Sequence, residues 1–225
     1  SIEYTTAQNF DRRAFDLLNC ITVVPGAIGA FRKEAIEDAG GFMTDTLAED
    51  CDLTIRILRC NYTVTTSNQA IAFTEAPENL EQFLKQRFRW SFGVMQTFWK
   101  HRDALFNTRY KALGLVALPN ILIFQMVLPF FSPLADLLML IGILSGNAAQ
   151  IGLYYLIFQL VDLAGAALAF SFEKQKASKL WMLLPQRFTY RWLMYYVLFK
   201  AFNRALKGEL QSWGVLKRTG NVAEA

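Results

Sequence analysis

A long stretch with almost no charge constrains this chain more than any other feature of its sequence. The 33 residues from Ala112 to Leu144 carry one formal charge, that of Asp136, and the only one between Gln150 and Phe172 is that of Asp162. A membrane-spanning helix needs about 20 apolar residues, so both stretches are long enough to cross a bilayer. Of the 225 residues, 53% are hydrophobic and only 19% are charged, against about a quarter charged in soluble domains.

The second half of the chain, residues 112–208, is predicted to form three or four membrane helices. Pro129 and Pro133 favour a break within the first apolar stretch. The last helix contains Arg191 and Lys200 and aromatic residues typical of a membrane boundary, so it is predicted to lie partly in the interface. Three spans, with the first one kinked, are the alternative to four. The predicted helices cover about 112–130, 133–146, 150–172 and 188–206.

Residues 1–111 differ in character and are predicted to form a water-facing α/β domain. They contain 13 Lys and Arg and 14 Asp and Glu, whereas residues 112–225 contain 10 and 5. The basic residues form no dense run, which argues against nucleic-acid binding. Residues 209–225 are predicted to be a polar tail. Periodicity and turn residues predict helices over 1–18, 32–38, 49–60 and 77–101, and strands over 20–24, 62–66 and 70–74.

Cysteine and histidine usage argues against a disulfide framework and against a zinc site. Cys20, Cys51 and Cys60 are odd in number and not closely paired, and His101 is the only histidine. Neither pattern fits structural zinc or a secreted scaffold. We therefore predict a reducing, cytosolic environment for the first half of the chain.

Two acidic residues, Glu49 and Asp50, stand at the start of the predicted helix 49–60. The helix dipole favours carboxylates there, so capping is one interpretation, and a general base that takes a proton from an attacking hydroxyl is the other. Asp50 and Asp52 also form an Asp-x-Asp pattern typical of a divalent-metal clamp. Residues two apart on a helix point about 200° away from each other, so we expect no shared metal ion. Within this helix Arg56 is predicted to face outward.

Gln86, Arg89 and Trp90 are spaced to share one face of the predicted helix 77–101. A guanidinium can bind diphosphate oxygens in a fork, and an indole offers a flat apolar surface for a sugar ring. The alternative is an amphipathic interfacial helix whose phenylalanines pack and whose bases meet lipid phosphates.

These motifs follow one another in an order that resembles a known enzyme family. The order is a small-residue loop from Gly26, then Gly40-Gly-Phe, Ala48-Glu-Asp, Thr74-Glu-Ala-Pro, Gln86-x-x-Arg-Trp and membrane helices. The chain resembles the family-2 processive glycosyltransferases, which include the cellulose, chitin, hyaluronan and poly-N-acetylglucosamine synthases. The resemblance covers essentially the whole chain.

The resemblance implies roles for particular residues. The catalytic base falls on Asp50, preceded by Glu49, with Ala48 in place of the family's threonine. Gln86, Arg89 and Trp90 would contact the donor diphosphate and the acceptor end of the polymer, and the loop around Gly26 would line the acceptor site. Asp136 and Asp162, which are costly in lipid, would either face a polymer channel or make helix–helix contacts.

The resemblance also implies the fold and the reaction. The expected fold is the latter part of a GT-A-type nucleotide-sugar transferase domain followed by three or four transmembrane or interfacial helices. The expected enzyme is a multi-pass plasma (inner) membrane protein with a cytosolic catalytic part, which transfers a sugar from a UDP-sugar to a growing glycan. Mg²⁺ or Mn²⁺ would be bound by an upstream half, so this chain is expected to be a carboxy-terminal part, inactive alone and without a metal of its own.

Two other functions fit the same sequence. One is a non-processive transferase that acts on a lipid-linked acceptor and uses its helices as an anchor. The other is a membrane transporter or scaffold with no chemistry, in which Gln86, Arg89 and Trp90 would matter only for stability.

Overall fold

The computed structural model describes residues 4–67, 69–70, 72, 75, 77–174 and 177–207 and is mainly helical over these residues. Short π-helical and 3₁₀ turns connect or extend the α-helices. The α-helices in this part of the chain are α1 (Phe10–Leu17), α2 (Lys33–Asp38), α3 (Glu49–Arg59), α4 (Leu80–Lys100), α5 (Leu118–Asn120), α6 (Leu128–Gly142), α7 (Ala148–Phe172) and α8 (Leu183–Leu206).

The predicted strands are absent from the part of the chain that the structure describes. Residues 20–24 and 62–66 are irregular, and the run 70–74 lies partly outside the described residues. Their backbone groups bond to side chains instead: the Val24 amide donates to Thr54 Oγ1 (3.0 Å) and the Val64 amide donates to Asn19 Oδ1 (2.8 Å). A strand requires a neighbouring strand for its hydrogen-bond ladder. The α/β class was therefore wrong for these segments, because a β-type run alone does not supply a partner.

The helices of the first half agree with the sequence more closely. The helix predicted over 49–60 is α3, and the helix predicted over 32–38 is α2. The long helix α4 begins later than predicted, at Leu80, because the Asn79 side chain caps it by accepting a hydrogen bond from the Gln82 amide at 2.9 Å. The segment predicted as one helix over 1–18 begins with residues 1–3, which lie outside the described residues. Its described part is a π-helical turn, Tyr4–Asn9, followed by α1.

The second half contains one candidate membrane span in the described residues, not three or four. A helical segment of 60 residues, Leu113–Phe172, is long and apolar enough to cross a membrane. The predicted helices 112–130, 133–146 and 150–172 all fall within this segment. Its interruption is at Gly146, where the backbone has φ 90°, rather than at the prolines. In α8, Arg191, Lys200 and Arg204 leave too few uncharged residues for a span.

The helix α6 continues through Pro133 because a neighbouring side chain replaces the missing backbone donor. A proline inside a helix leaves the carbonyl four residues earlier without its amide partner. Here that carbonyl belongs to Pro129, and Ser132 Oγ donates to it at 2.9 Å. Pro129 follows directly on the π-helical turn Ile121–Val127, and the helix continues through it as well. The sequence pattern of two prolines therefore did not predict the break.

The helix α8 packs along α4 and covers its apolar face. Phe92 and Met95 of α4 are buried in one cluster with Leu198 and Ala201 of α8, and Phe83 meets Tyr190 edge to face with ring centroids 6.0 Å apart. The phenylalanines of α4 are thus packing residues. This contact fixes the long helix against the end of the described chain, and a separate core around α3 holds the other side of it.

Candidate active site

The carboxylate of Asp50 lies at the start of α3 and is held by two backbone amides. The Gly26 amide donates to Oδ2 at 3.2 Å, and the Cys51 amide donates to Oδ1 at 2.8 Å. Both oxygens keep lone pairs for a further partner, and the residue is only partly buried. The arrangement aims a carboxylate at solvent from a fixed position, which suits a proton acceptor.

The loop around Gly26 is fixed beside Asp50 through Thr54. The Thr54 hydroxyl donates to the Asp50 backbone oxygen at 2.6 Å and accepts from the Val24 amide at 3.0 Å. A Cβ on Gly26 would lie 3.9 Å from the Asp50 Cβ, so the two backbones approach closely. The structure thus brings together Gly26 and Asp50, the two residues that the sequence assigned to the acceptor loop and the base.

The long helix α4 docks against the residues just before α3 at a glycine. A Cβ on Gly93 would be 2.7 Å from both the Cβ and the backbone nitrogen of Ala48, closer than side chains can come. One turn later, Gln96 Oε1 accepts from the Leu47 amide at 2.9 Å. These contacts place the face of α4 that carries Arg89 and Trp90 next to the start of α3.

Two arginines contribute positive charge near the acidic pair. The Arg89 charge acts on Glu49, whose pKa is raised, chiefly by burial and also by the Asp50 charge. Arg12 of α1 interacts electrostatically with Asp50, while its own burial lowers the pKa of its guanidinium. The site therefore combines two carboxylates with two guanidinium groups.

Trp90 stands beside this site between an arginine and a tyrosine. The Arg87 guanidinium lies over its ring, 4.6 Å from the centroid, and Tyr4 meets it edge to face with centroids 6.4 Å apart. Arg87 is buried, whereas Trp90 is partly exposed. A cation behind one face of an indole holds the ring in place, and the partly exposed part of the ring is available to a ligand.

The Gln86 side chain has a polar atom that the described part of the protein leaves unsatisfied. Its Oε1 is buried and accepts no hydrogen bond from the described residues. A buried acceptor without a donor costs about 1–3 kcal/mol. The Gln86 amide oxygen could therefore accept a hydrogen bond from a group outside the described residues.

Behind the site, Asp52 forms a buried ionic cluster that the sequence analysis missed. Its carboxylate is fully buried and is 2.9 Å from His101 Nε2, 2.9 Å from Arg56 Nε and 3.0 Å from Lys100 Nζ. Burial alone would raise its pKa, but the hydrogen bonds from His101, Lys100 and Arg56 hold that pKa well below its usual range. Arg56 also donates to the Ala39 backbone oxygen. The prediction that Arg56 faces outward was therefore wrong.

Arg12 had no signal in the sequence that linked it to the site, and the Asp52 cluster had only a partial one. Arg12 was grouped only with the polar face of the first helix, and nothing in its spacing indicated Asp50, which is distant in the chain. The Asp52 cluster did have a partial signal, because Asp52 and Arg56 are four residues apart on one helix. Lys100 and His101 join that pair only through the docking of α4.

The described residues offer no divalent-metal site. Asp50 bonds to Gly26 and Cys51, while Asp52 faces His101, Lys100 and Arg56, so the two carboxylates of the Asp-x-Asp pattern diverge. No group of three or more His, Cys, Asp or Glu side chains in this part of the structure could hold an ion. A Mg²⁺ or Mn²⁺ ion does not fit these residues.

The comparisons with known proteins agree with the family expected from the motifs. Residues 2–202 match the family described as glycosyl transferase family group 2. That match covers most of the chain, and the chain belongs to this family. The resemblance to a family-2 glycosyltransferase is thereby confirmed. No solved structure matches the chain.

Two curated relatives illustrate the family. The "Probable glycosyltransferase YdaM" of Bacillus subtilis (strain 168) is 32% identical over 93 residues, which are 41% of this chain and 22% of that protein. The poly-beta-1,6-N-acetyl-D-glucosamine synthase of Staphylococcus epidermidis is 27% identical over 103 residues, which are 44% of this chain and 25% of that protein. The matched part is therefore about a quarter of the length of these relatives.

Proposed function

We propose that this chain is the acceptor-side and membrane part of an inverting β-glycosyltransferase, which adds a sugar from a UDP-sugar to the end of a growing polysaccharide. The observation that carries the proposal is the Asp50 carboxylate, fixed by the Gly26 and Cys51 amides at the start of α3. The family supports glycosyl transfer. The synthase of Staphylococcus epidermidis supports N-acetylglucosamine as the donor sugar, with glucose as the other candidate.

In this mechanism Asp50 takes the proton of the acceptor hydroxyl. The hydroxyl oxygen forms a bond to the anomeric carbon, and the bond from that carbon to UDP breaks, with its electron pair leaving on the diphosphate. Attack opposite the leaving group inverts the configuration, so an α-linked donor gives a β-linked product. A positioned general base of this kind contributes about 10²–10⁴-fold to the rate.

The remaining site residues would bind the two substrates. Arg89 would offset the charge that develops on the departing diphosphate, because a guanidinium can donate two parallel hydrogen bonds to such oxygens. Trp90 would stack on the terminal sugar of the acceptor. The unsatisfied Gln86 oxygen would accept a hydrogen bond from a substrate hydroxyl, and Glu49, beside Asp50, would also contact the acceptor or donor.

The divalent ion that such enzymes require would be bound outside these residues. The divergence of the Asp-x-Asp carboxylates supports this. We propose that Mg²⁺ or Mn²⁺ is held by a nucleotide-binding part of the enzyme other than these residues, which we expect to be inactive alone. The long apolar segment supports a place in the plasma (inner) membrane, with the site at its cytosolic surface. Elongation would then be coupled to export.

The test is UDP release by membrane vesicles that contain the full-length protein. UDP-N-acetylglucosamine and UDP-glucose are supplied with Mg²⁺ or Mn²⁺, and the wild type is compared with Asp50→Asn. Asparagine keeps an acceptor for the Gly26 amide but cannot take a proton, so we expect a loss of about 10²–10⁴-fold. Asp45→Asn is the matched control, since Asp45 is an exposed partner of Lys100 outside the site.

The size of the product separates the alternatives. Long glycans support the synthase, whereas single-sugar lipid adducts would favour a transferase with a lipid-linked acceptor. Full activity of folded Asp50→Asn protein would remove Asp50 as the base. Absence of release with either sugar from inserted wild-type protein would favour a non-enzymatic scaffold or another donor class.

A further inference from the structure

We propose that a pocket at the entrance to the apolar helical segment binds the phosphate headgroup of an anionic phospholipid. The pocket lies between the end of α3 and the residues just before Leu113, where that segment begins. Its walls include the side chains Arg59, Asn61, Arg109, Tyr110, Lys111 and Leu18. The inference concerns membrane contact and does not depend on glycosyl transfer.

The charges of the pocket are not balanced. Arg59 is paired with Asp103, with bonds of 2.9 Å and 2.7 Å from its two terminal nitrogens, and it also donates to the Tyr110 hydroxyl at 3.0 Å. Arg109 and Lys111 are exposed, and their side chains form no hydrogen bond or ion pair with the described residues. Arg109 and Lys111 can therefore both bind an anion at the mouth of the cavity, whereas the charge of Arg59 is neutralised by Asp103.

The shape of the pocket is held by its surroundings. The Phe106 amide donates to the Gly114 backbone oxygen at 2.9 Å, and the Tyr110 amide donates to the Asn107 backbone oxygen at 3.1 Å. The Arg59 guanidinium lies over the Tyr110 ring, 4.6 Å from its centroid. The segment that carries Arg109 and Lys111 is therefore tied to both α3 and the start of the apolar helix.

The surroundings favour a lipid over a soluble phosphate. Exposed apolar side chains lie next to the pocket in the chain: Leu17 and Leu18 on one side and Phe106 on the other, with exposed fractions of 88%, 51% and 65%. Trp99 is also exposed, with the Arg102 guanidinium 4.5 Å from its ring centroid. Aromatic and basic residues together at the end of an apolar helix are typical of the headgroup region of a bilayer. An anionic headgroup would meet the cations while its acyl chains meet the apolar rim.

The experiment counts lipids bound to the full-length protein in nanodiscs. Discs of phosphatidylcholine with increasing phosphatidylglycerol are prepared, and native mass spectrometry measures the fraction of protein that retains one anionic lipid. Wild type is compared with the double variant Arg109→Gln/Lys111→Gln. Each basic residue near an anionic surface strengthens binding about fivefold, so the double variant should bind about thirty-fold more weakly.

The matched control is Arg32→Gln/Lys33→Gln, which removes the same two charges from exposed positions away from the pocket. It should retain the lipid as the wild type does. Equal retention by all three proteins would overturn the proposal, because the attraction would then be general or the pocket would be filled by another part of the protein. Displacement of the lipid by millimolar inorganic phosphate would also overturn it, in favour of a free-phosphate site. Activity is not the readout, so failure here and failure of the proposed transferase remain distinguishable.

Discussion

Gly93 of α4 touches Ala48 so closely that a Cβ on the glycine would lie 2.7 Å from the Ala48 Cβ. This contact is one turn from Arg89 and Trp90 on the helix, and two residues from Asp50 on the other side. The relative position of Asp50 and of the helix face that carries Arg89 and Trp90 therefore depends on the lack of a side chain at Gly93.

Gly93→Ala should destabilise the protein and impair the site. The added methyl forces α4 away from Ala48, and overpacking of this kind costs about 1–3 kcal/mol. We expect a lower thermal midpoint and a lower kcat in the same preparation. Gly165→Ala is the control, since a Cβ there meets open space and alanine favours a helix. Unchanged activity of Gly93→Ala would show that the close contact does not position the site.

Asp52→Asn should lower stability at neutral pH by about 3–5 kcal/mol, because it leaves Arg56 and Lys100 without their buried counter-charge. Burial opposes the charge of Asp52, but its bonds hold its folded-state pKa below the usual value. Its contribution is therefore present above the unfolded-state pKa of about 3.9 and is lost as the pH falls below that value toward the folded-state pKa.

The check is to measure the unfolding midpoint of wild type and Asp52→Asn from pH 7 down to pH 3. The difference between them should shrink as the pH falls below about 4. Asp45→Asn serves as a comparison, because Asp45 is exposed and such pairs contribute about 0–1 kcal/mol. A difference that stays constant with pH would contradict the assigned pKa direction.

Trp90→Ala should raise the KM for the acceptor. Expressed as a free energy, this effect should be larger than the loss in the free energy of unfolding. A stacked aromatic ring contributes about 0.5–1.5 kcal/mol beyond its buried area, which corresponds to about a twofold to thirteenfold change. Trp90→Phe should keep part of the effect. Trp99→Ala is a matched control, because Arg102 lies over Trp99 as Arg87 lies over Trp90. Equal KM values for Trp90→Ala and Trp99→Ala would assign Trp90 a packing role only.

Asp136 of α6 and Arg191 of α8 form an ion pair. Asp136 therefore makes a helix–helix contact, one of the two roles that the sequence left open for it. Removing one partner leaves the other charge without its counter-charge, and both side chains are partly buried. Asp136→Leu or Arg191→Leu alone should therefore lower the stability by more than the value of about 0–1 kcal/mol that is typical of an exposed pair. The double variant should recover most of that loss. The measurement is a double-mutant cycle of unfolding in detergent. Additive costs would show that the two charges do not depend on each other.

The sequence predicted the parts of the fold that depend on local pattern. The helices α2 and α3 and the start of the apolar segment follow periodicity, capping residues and the absence of charge. The segments 20–24 and 62–66 have β-type composition but bond to Thr54 and Asn19, and composition alone cannot supply the neighbouring strand. Pro133 was misjudged because its effect depends on the hydroxyl of Ser132.

Only those residues of the candidate site that belong to a recognisable sequence motif could be predicted. Asp50 and Trp90 stand in motifs that the family resemblance located, and the structure places Gly26 against the Asp50 carboxylate. Their assigned roles remain predictions. Arg12, Lys100 and His101 reach the site or its support through tertiary contacts with residues far away in the chain. No local spacing encodes such contacts.

The long apolar segment bends at Gly146, and both of its ends contact the first half of the chain. The segment starts just after residues that bond to α3, and it ends at Glu173, which Arg13 of α1 binds at 2.7 Å. A rod of 60 straight residues would instead separate its ends by about 90 Å. We predict that in a bilayer both ends of the segment stay on one side and that only the turn at Gly146 reaches the opposite compartment. A reagent confined to that compartment would therefore label the turn at Gly146 and leave both flanks untouched.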